Sequence, residues 1–293
     1  MKLALGTAQF GMPYGIANTL GQIKNDMAPA ILDTARKNGM DTIDTAIGYA
    51  DSETVLGRLD VSDFRVITKL SGIPDNIINI TNWVNDQINA SLSRLRINRL
   101  AGVLLHRPDQ LMGIHGPELA DALAGLKHRG IAEKIGVSIY NPDDLPGYMA
   151  VCSMDLVQAP FNLIDRRLAN SGWLDRLQTA KVEVHVRSIF LQGLLLMAPD
   201  SRPAQFARWK GMWRQWDTWV ATHGGIGPVA ACIAFGQKHE AIDRLVVGVD
   251  TSDQLKELVA AANRFLDISL PDLSVNDEEL INPAYWAALR SAA

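Results

Sequence analysis

The chain offers little to a membrane, to nucleic acid or to a metal. No apolar run approaches the roughly 20 residues that a membrane helix requires. The opening MKLALGTAQF carries one lysine and a short apolar stretch broken by Gly6 and Thr7, unlike a secretory signal, so the expected location is the cytoplasm. Lys and Arg number 28 against 32 Asp and Glu, a net charge of -4, and no dense basic run is present to track a phosphate backbone. The sequence therefore argues against a nucleic-acid partner. The two cysteines, Cys152 and Cys232, sit in apolar surroundings without a CxxC or Cys/His ligand spacing, which reads as structural burial. His106, His115, His128, His185, His223 and His239 are scattered, and no metal is expected. There is no HExxH or GxSxG, and the Walker-like spacing from Gly6 to Gly11 lacks the Gly-Lys-Ser/Thr that would complete it.

What the chain does have is alternation. Short β-branched or apolar runs are followed by longer segments of helical periodicity, which predicts parallel strands joined by helices. The expected strands are Lys2–Gly6, Asp41–Thr45, Arg65–Lys69, Gly102–His106, Lys134–Val137, Leu156–Gln158, Glu183–Val186 and Arg244–Val247. The expected helices are Met27–Asn38, Glu53–Leu59, Asn79–Leu95, Glu118–Arg129, Asp143–Ala150, Gly172–Ala180, Pro228–Lys238 and Ser252–Phe265. Eight such units predict a closed (β/α)8 TIM barrel of the α/β class, a single domain over 1–293. An open doubly wound sheet is the architectural rival, but no GxGxxG follows the first strand. Pro199 to Gly225 interrupts the seventh unit. Within it an inserted Trp-rich helix around 203–220 places Phe206, Trp209, Trp213, Trp216 and Val220 on one face, to pack on the barrel or on a protein partner.

Chemistry in such barrels sits where strands end at their C-terminal edge. Strand two ends in Asp44 with Tyr49 in the loop beyond it, strand three at Lys69 and strand four at His106. Singly each has an ordinary explanation: a turn cap, a packed ring, a solvated strand end, a core imidazole. Together they form the set that proton transfer to a carbonyl oxygen requires. A phenol is a poor acid near neutrality, but a neighbouring cation favours phenolate, so Lys69 is expected to activate Tyr49. Asp44 would hold the ammonium, and His106 would orient the substrate oxygen or share the proton. No side chain donates hydride; a cofactor must.

The segment Met40-Asp41-Thr42-Ile43-Asp44-Thr45-Ala46-Ile47-Gly48-Tyr49, with Glu53 and Leu56-Gly57, resembles the signature of the aldo-keto reductase family. So do Leu5-Gly6-Thr7-Ala8-Gln9-Phe10-Gly11, Ile67-Thr68-Lys69, Leu104-Leu105-His106-Arg107-Pro108-Asp109, Ile135-Gly136-Val137-Ser138 and Val157-Gln158. The resemblance spans residues 2 to about 265 in order. It implies an NAD(P)(H)-dependent oxidoreductase acting on a carbonyl or alcohol, with a tetrad of Asp44, Tyr49, Lys69 and His106 and with Tyr49 as general acid. It also implies cofactor contacts at Gly6, Thr7, Asp44, Ser138, Gln158, Arg187 and Ser188, Ser138 and Gln158 taking the nicotinamide carboxamide. The loop after strand eight, with Gly248, Asp250, Thr251 and Gln254, would hold the adenosine end.

Two positions depart from the family pattern. Ile139 stands where the family has Asn, and Arg187 stands where it has the aromatic residue that stacks on the nicotinamide. The loop after strand eight lacks the Lys and Arg that NADP-preferring relatives place on the 2′-phosphate, and its Asp250 and Asp253 would repel a phosphate, so NAD(H) is expected over NADP(H). The family also has regulatory members, among them potassium-channel β subunits and division regulators of the KidO type, so the alternative is a nucleotide-sensing protein that uses the inserted helix to meet a partner. An aldolase with Lys69 as Schiff-base amine lacks the phosphate-binding glycine loop after strand seven.

Overall fold

The computed structural model of the chain describes residues 2–264, 266 and 268–291. Its centre is a closed parallel barrel of eight strands in sequence order: β1 (Leu3–Gly6), β2 (Thr42–Asp44), β3 (Arg65–Leu70), β4 (Leu100–Leu105), β5 (Ala132–Ser138), β6 (Leu156–Pro160), β7 (Glu183–Arg187) and β8 (Arg244–Gly248). Closure comes from β1 against β8, with Leu3 opposite Leu245 and Leu5 opposite Val247. All eight expected strands form, their ends displaced by one or two residues, which is the usual uncertainty at element ends. His106 falls just beyond β4, yet its amide still donates to the Leu70 carbonyl, which fixes it to the barrel mouth.

Period-two geometry decides what the interior contains. Ile67, Leu104 and Leu156 pack together in the barrel core, and residues two further along their strands share that inward face. Those residues are Lys69, His106 and Gln158, so an apolar layer supports a polar one at the C-terminal mouth.

The helices follow the expected ranges within two residues, with two differences. The segment expected to start at Asp143 opens as a 3-10 turn, Pro142–Asp144, before the helix Leu145–Val151. The last predicted helix runs Ser252–Ala262, and Phe265 lies outside the described residues. Helix Ile80–Leu95 illustrates the local causes. The Asn79 side chain accepts from the Asn82 amide at its start, Ile80, Val84, Ile88, Ser91 and Leu95 form the buried stripe, and Arg96 in a left-handed conformation (φ 56°) ends it.

The insertion is a 3-10 turn (Ala204–Trp209) followed by a helix (Lys210–Thr222). Its aromatic face is turned onto the chain itself. Trp213, Trp216 and Trp219 are buried, and their indole N–H groups donate to the carbonyls of Phe206, Leu195 and Ser269. Trp209 donates to Asp277. Trp213, Trp216 and Trp219 of the expected apolar face are thus covered from within, while Trp209 and Val220 stay partly exposed.

Candidate active site

The loop after β2 is held over β3 by its backbone. Thr45 donates to the Ile67 carbonyl, Ile47 to that of Lys69, and Tyr49 to that of Ala46, so the Tyr49 ring is delivered above Lys69. Gly11 makes this possible, since a Cβ there would collide with the Tyr49 carbonyl and crowd the Ser52 amide. The Ser52 hydroxyl in turn donates to the Thr7 carbonyl, tying the loop to β1.

Beneath that loop lies a buried polar chain. Lys69 Nζ donates to Asp44 Oδ1 at 2.6 Å and to the Thr45 carbonyl at 2.9 Å. Asp44 Oδ2 accepts from Gln158 Nε2 at 2.6 Å, and the Ser138 hydroxyl donates to Gln158 Oε1 at 3.1 Å. Ser138 and Gln158 are buried and lie behind Asp44 rather than on the cavity wall. In the structure these two residues satisfy each other and Asp44.

Lys69 faces Tyr49 through space and makes no hydrogen bond to it among the described residues. The ammonium stands 5.0 Å from the centre of the Tyr49 ring, already committed to Asp44 and Thr45. Burial drives the Tyr49 pKa well above its ordinary value, the Asp44 carboxylate pushes it the same way, and Arg187 opposes them. The phenol is held neutral. His106 meets the Tyr49 ring edge-on, centroids 5.9 Å apart, and its pKa falls to about 4 because of burial first and then the charges of Lys69 and Arg187. A neutral imidazole therefore faces a neutral phenol at physiological pH. Burial lowers the Lys69 pKa, and Asp44 beside it opposes the fall.

A cavity of about 450 Å³ opens from this cluster across β1 to the loop after β8. Asp44, Tyr49 and Arg187 line it on the tetrad side, with Gly6 and Thr7 between, and Gly248, Asp250, Gln254 and Glu257 line the far side. The Arg187 guanidinium is fixed in place: Nη2 donates to the Ile139 carbonyl at 2.9 Å, and Cζ lies 4.3 Å from the centre of the Tyr140 ring. Ser188 has φ 60°, and Leu191, Gln192 and Gly193 are also left-handed, so the chain turns tightly along the wall. The amides of Ile189, Phe190 and Gln192, all on that wall, donate to no protein acceptor among the described residues.

On the far side Asp250 accepts from Asn18 Nδ2 at 3.2 Å, and its amide donates to Gln254 Oε1 at 2.7 Å. Burial raises the Asp250 pKa. Two expected contributors sit elsewhere. Thr251 uses its side chain to cap helix Ser252–Ala262 and is off the cavity wall. Asp253 is exposed and pairs with Lys256 at 2.7 Å, outside the cavity.

The sequence reading missed Tyr14, Asn18, Gln192 and Glu257, all of which line the cavity. Tyr14 and Gln192 meet at 3.4 Å through hydroxyl and side-chain amide, and burial pushes the Tyr14 pKa up to about 12. The turn-rich segment from Gly11 to Gly15 has no periodicity to announce it. Glu257 was within reach of the spacing rule, one helical turn after Gln254.

The aldo/keto reductase family model matches residues 2–270. An aldo-keto reductase, YhdN, from Bacillus subtilis is 28% identical over 190 residues, 58% of this chain, and the match spans about half (53%) of that relative. An NADH-specific methylglyoxal reductase from Escherichia coli is 26% identical, covering 89% of this chain and 90% of its own. Among solved structures, an aldo-keto reductase from Bacillus halodurans in its holo form superposes with a TM-score of 0.70 at 18% identity, over 98% of this chain and 91% of that one.

Proposed function

The chain belongs to the aldo/keto reductase family, and from that premise we propose that it is an NAD(H)-dependent reductase of small carbonyl compounds with Tyr49 as proton donor. The observation that carries this is the Tyr49 ring, facing Asp44-paired Lys69 and meeting His106 edge-on, at one side of a cavity with no Lys or Arg at its other side.

The residues on the wall suit a nicotinamide dinucleotide. The free amides of Ile189, Phe190 and Gln192 offer donors to the pyrophosphate. Asp250 and Glu257 can accept from ribose hydroxyls and would repel a 2′-phosphate, which supports NAD(H) over NADP(H). Gly6, Thr7, Gly248 and Gln254 complete the walls between these groups, and Ser188 and Arg187 border the reacting end. When bound, the nicotinamide supplies hydride to the carbonyl carbon.

The chain does the rest. Tyr49 hydrogen-bonds the carbonyl oxygen and donates its proton as negative charge develops there. His106, neutral, places a second donor at the same oxygen. Lys69 and Arg187 set positive potential beside the phenol as it loses its proton, and Asp44 with Gln158 and Ser138 keeps Lys69 in position. Trp213, Trp216 and Trp219 of the face that motivated the regulatory alternative are buried within the chain, which favours the reductase reading.

Incubation with NADH and a panel of small aldehydes and ketones, methylglyoxal among them, tests the proposal by loss of reduced-nicotinamide absorbance. Turnover that exceeds the NADPH rate supports it; no turnover across the panel overturns it.

A further inference from the structure

We propose that Arg187 makes the cavity discriminate between the two redox states of its nicotinamide, binding the uncharged reduced ring and disfavouring the cationic oxidised ring. This rests on the reading above that the dinucleotide lies in this cavity with its reactive ring beside Tyr49.

The inference comes from summing formal charge on the tetrad side. Lys69 and Asp44 cancel at 2.6 Å. His106, with a pKa of about 4, is neutral, and the Tyr14 and Tyr49 phenols are neutral. What remains is the Arg187 guanidinium. It is the single Lys or Arg lining the cavity, and among the described residues it makes no ion pair. Its anchors are a carbonyl and an aromatic ring, neither of which neutralises it: the Ile139 oxygen at 2.9 Å and the Tyr140 ring at 4.3 Å.

Its field reaches the reacting atoms. Arg187 is among the charges that lower the pKa values of Tyr49, His106 and Lys69. Hydride and proton go to the two ends of one carbonyl group, so the nicotinamide carbon must lie roughly 3 to 3.5 Å from a carbon whose oxygen touches the Tyr49 hydroxyl. The ring is thereby confined to the region where Arg187 acts. Oxidation adds one positive charge to that ring and changes nothing at the adenosine end, so Asp250 and Glu257 act alike on both forms. Repulsion between unit charges a few ångströms apart in a half-buried site corresponds to roughly a tenfold or larger difference in affinity.

Reduction suits this arrangement. Arg187, fixed beside the reacting end, would favour release of a ring that gained positive charge on giving up hydride. Tyr49, held as the protonated acid, is in the state that the same direction requires.

Calorimetric titration of NADH and NAD+ into the wild type, Arg187→Met and Arg187→Lys tests this without turnover. The ratio of the NAD+ to the NADH dissociation constant is expected to fall roughly tenfold in Arg187→Met and to be kept in Arg187→Lys. If Arg187→Met does not give the wild-type unfolding transition, Arg187→Gln, which keeps a planar group against Tyr140, replaces it. An unchanged ratio in the uncharged variant overturns the proposal while the cofactor reading stands. A wild type that binds neither form removes the cofactor reading and the proposal together.

Discussion

The Lys69 ammonium is bound to Asp44 at 2.6 Å and stands 5.0 Å from the centre of the Tyr49 ring. The cation therefore compensates the carboxylate and reaches the phenol only through space. Replacing Lys69 by Met leaves Asp44 as an unpaired buried charge, and the expected loss of stability is about 3–5 kcal/mol. Asp44→Asn combined with Lys69→Met removes both charges and should restore part of that loss. Denaturant unfolding of the single and double variants measures the difference. Equal stabilities would mean that the pair does not compensate itself.

Tyr49→Phe removes the proton donor and leaves the ring that packs against His106. Carbonyl reduction should fall by about 10²- to 10⁴-fold, while the dissociation constant for NADH stays close to that of the wild type. Steady-state kinetics and calorimetry on one preparation separate the two effects. Retained turnover would remove Tyr49 from the chemistry.

Glu257 lines the far side of the cavity one helical turn beyond Gln254, and with Asp250 it makes that side acidic. Glu257→Arg should tighten NADPH binding by roughly tenfold relative to NADH, because the added charge meets the 2′-phosphate of NADPH and the variant loses an acceptor for the ribose hydroxyls of NADH. Titration of both reduced cofactors checks it. Unaltered NADPH affinity would place the adenosine end elsewhere.

His106 gives a pH dependence with a definite sign. Its pKa in the fold is about 4 against an ordinary 6.5, so the unfolded chain binds the extra proton first. This contribution to stability is fully present above pH 6.5, is lost progressively as pH falls toward about 4, and levels off below it. With partial exposure allowed for, it amounts to on the order of 2 kcal/mol. Urea unfolding of the wild type and His106→Asn across that window should show a shallower slope in the variant.

The barrel was legible because its signal is local and repeated: eight apolar runs, each followed by a 3.6-residue pattern. Strand ends were less so, because Leu100 and Ala132 extend their strands through hydrogen bonds that no residue type announces. The tetrad could be read because Asp44, Lys69 and His106 come at or just beyond the ends of consecutive strands and Tyr49 five residues after Asp44. What escaped was anything set by the third dimension. The spacing could not tell that Gln158 would reach back 114 residues to Asp44, or that Lys69 would thereby share its carboxylate partner. Nor could an aperiodic turn show that Tyr14 and Gln192 come together over the cavity.

The insertion carries a practical consequence. Of its three buried indoles, one is anchored within the insertion at the Phe206 carbonyl and two to carbonyls outside it, at Leu195 and Ser269. Such a segment cannot peel away without breaking its bonds to the chain after β7 and to the stretch around Ser269, so it should melt with the whole molecule in one cooperative step. Intrinsic indole emission will then report global unfolding and stay quiet during local opening of the cavity loops.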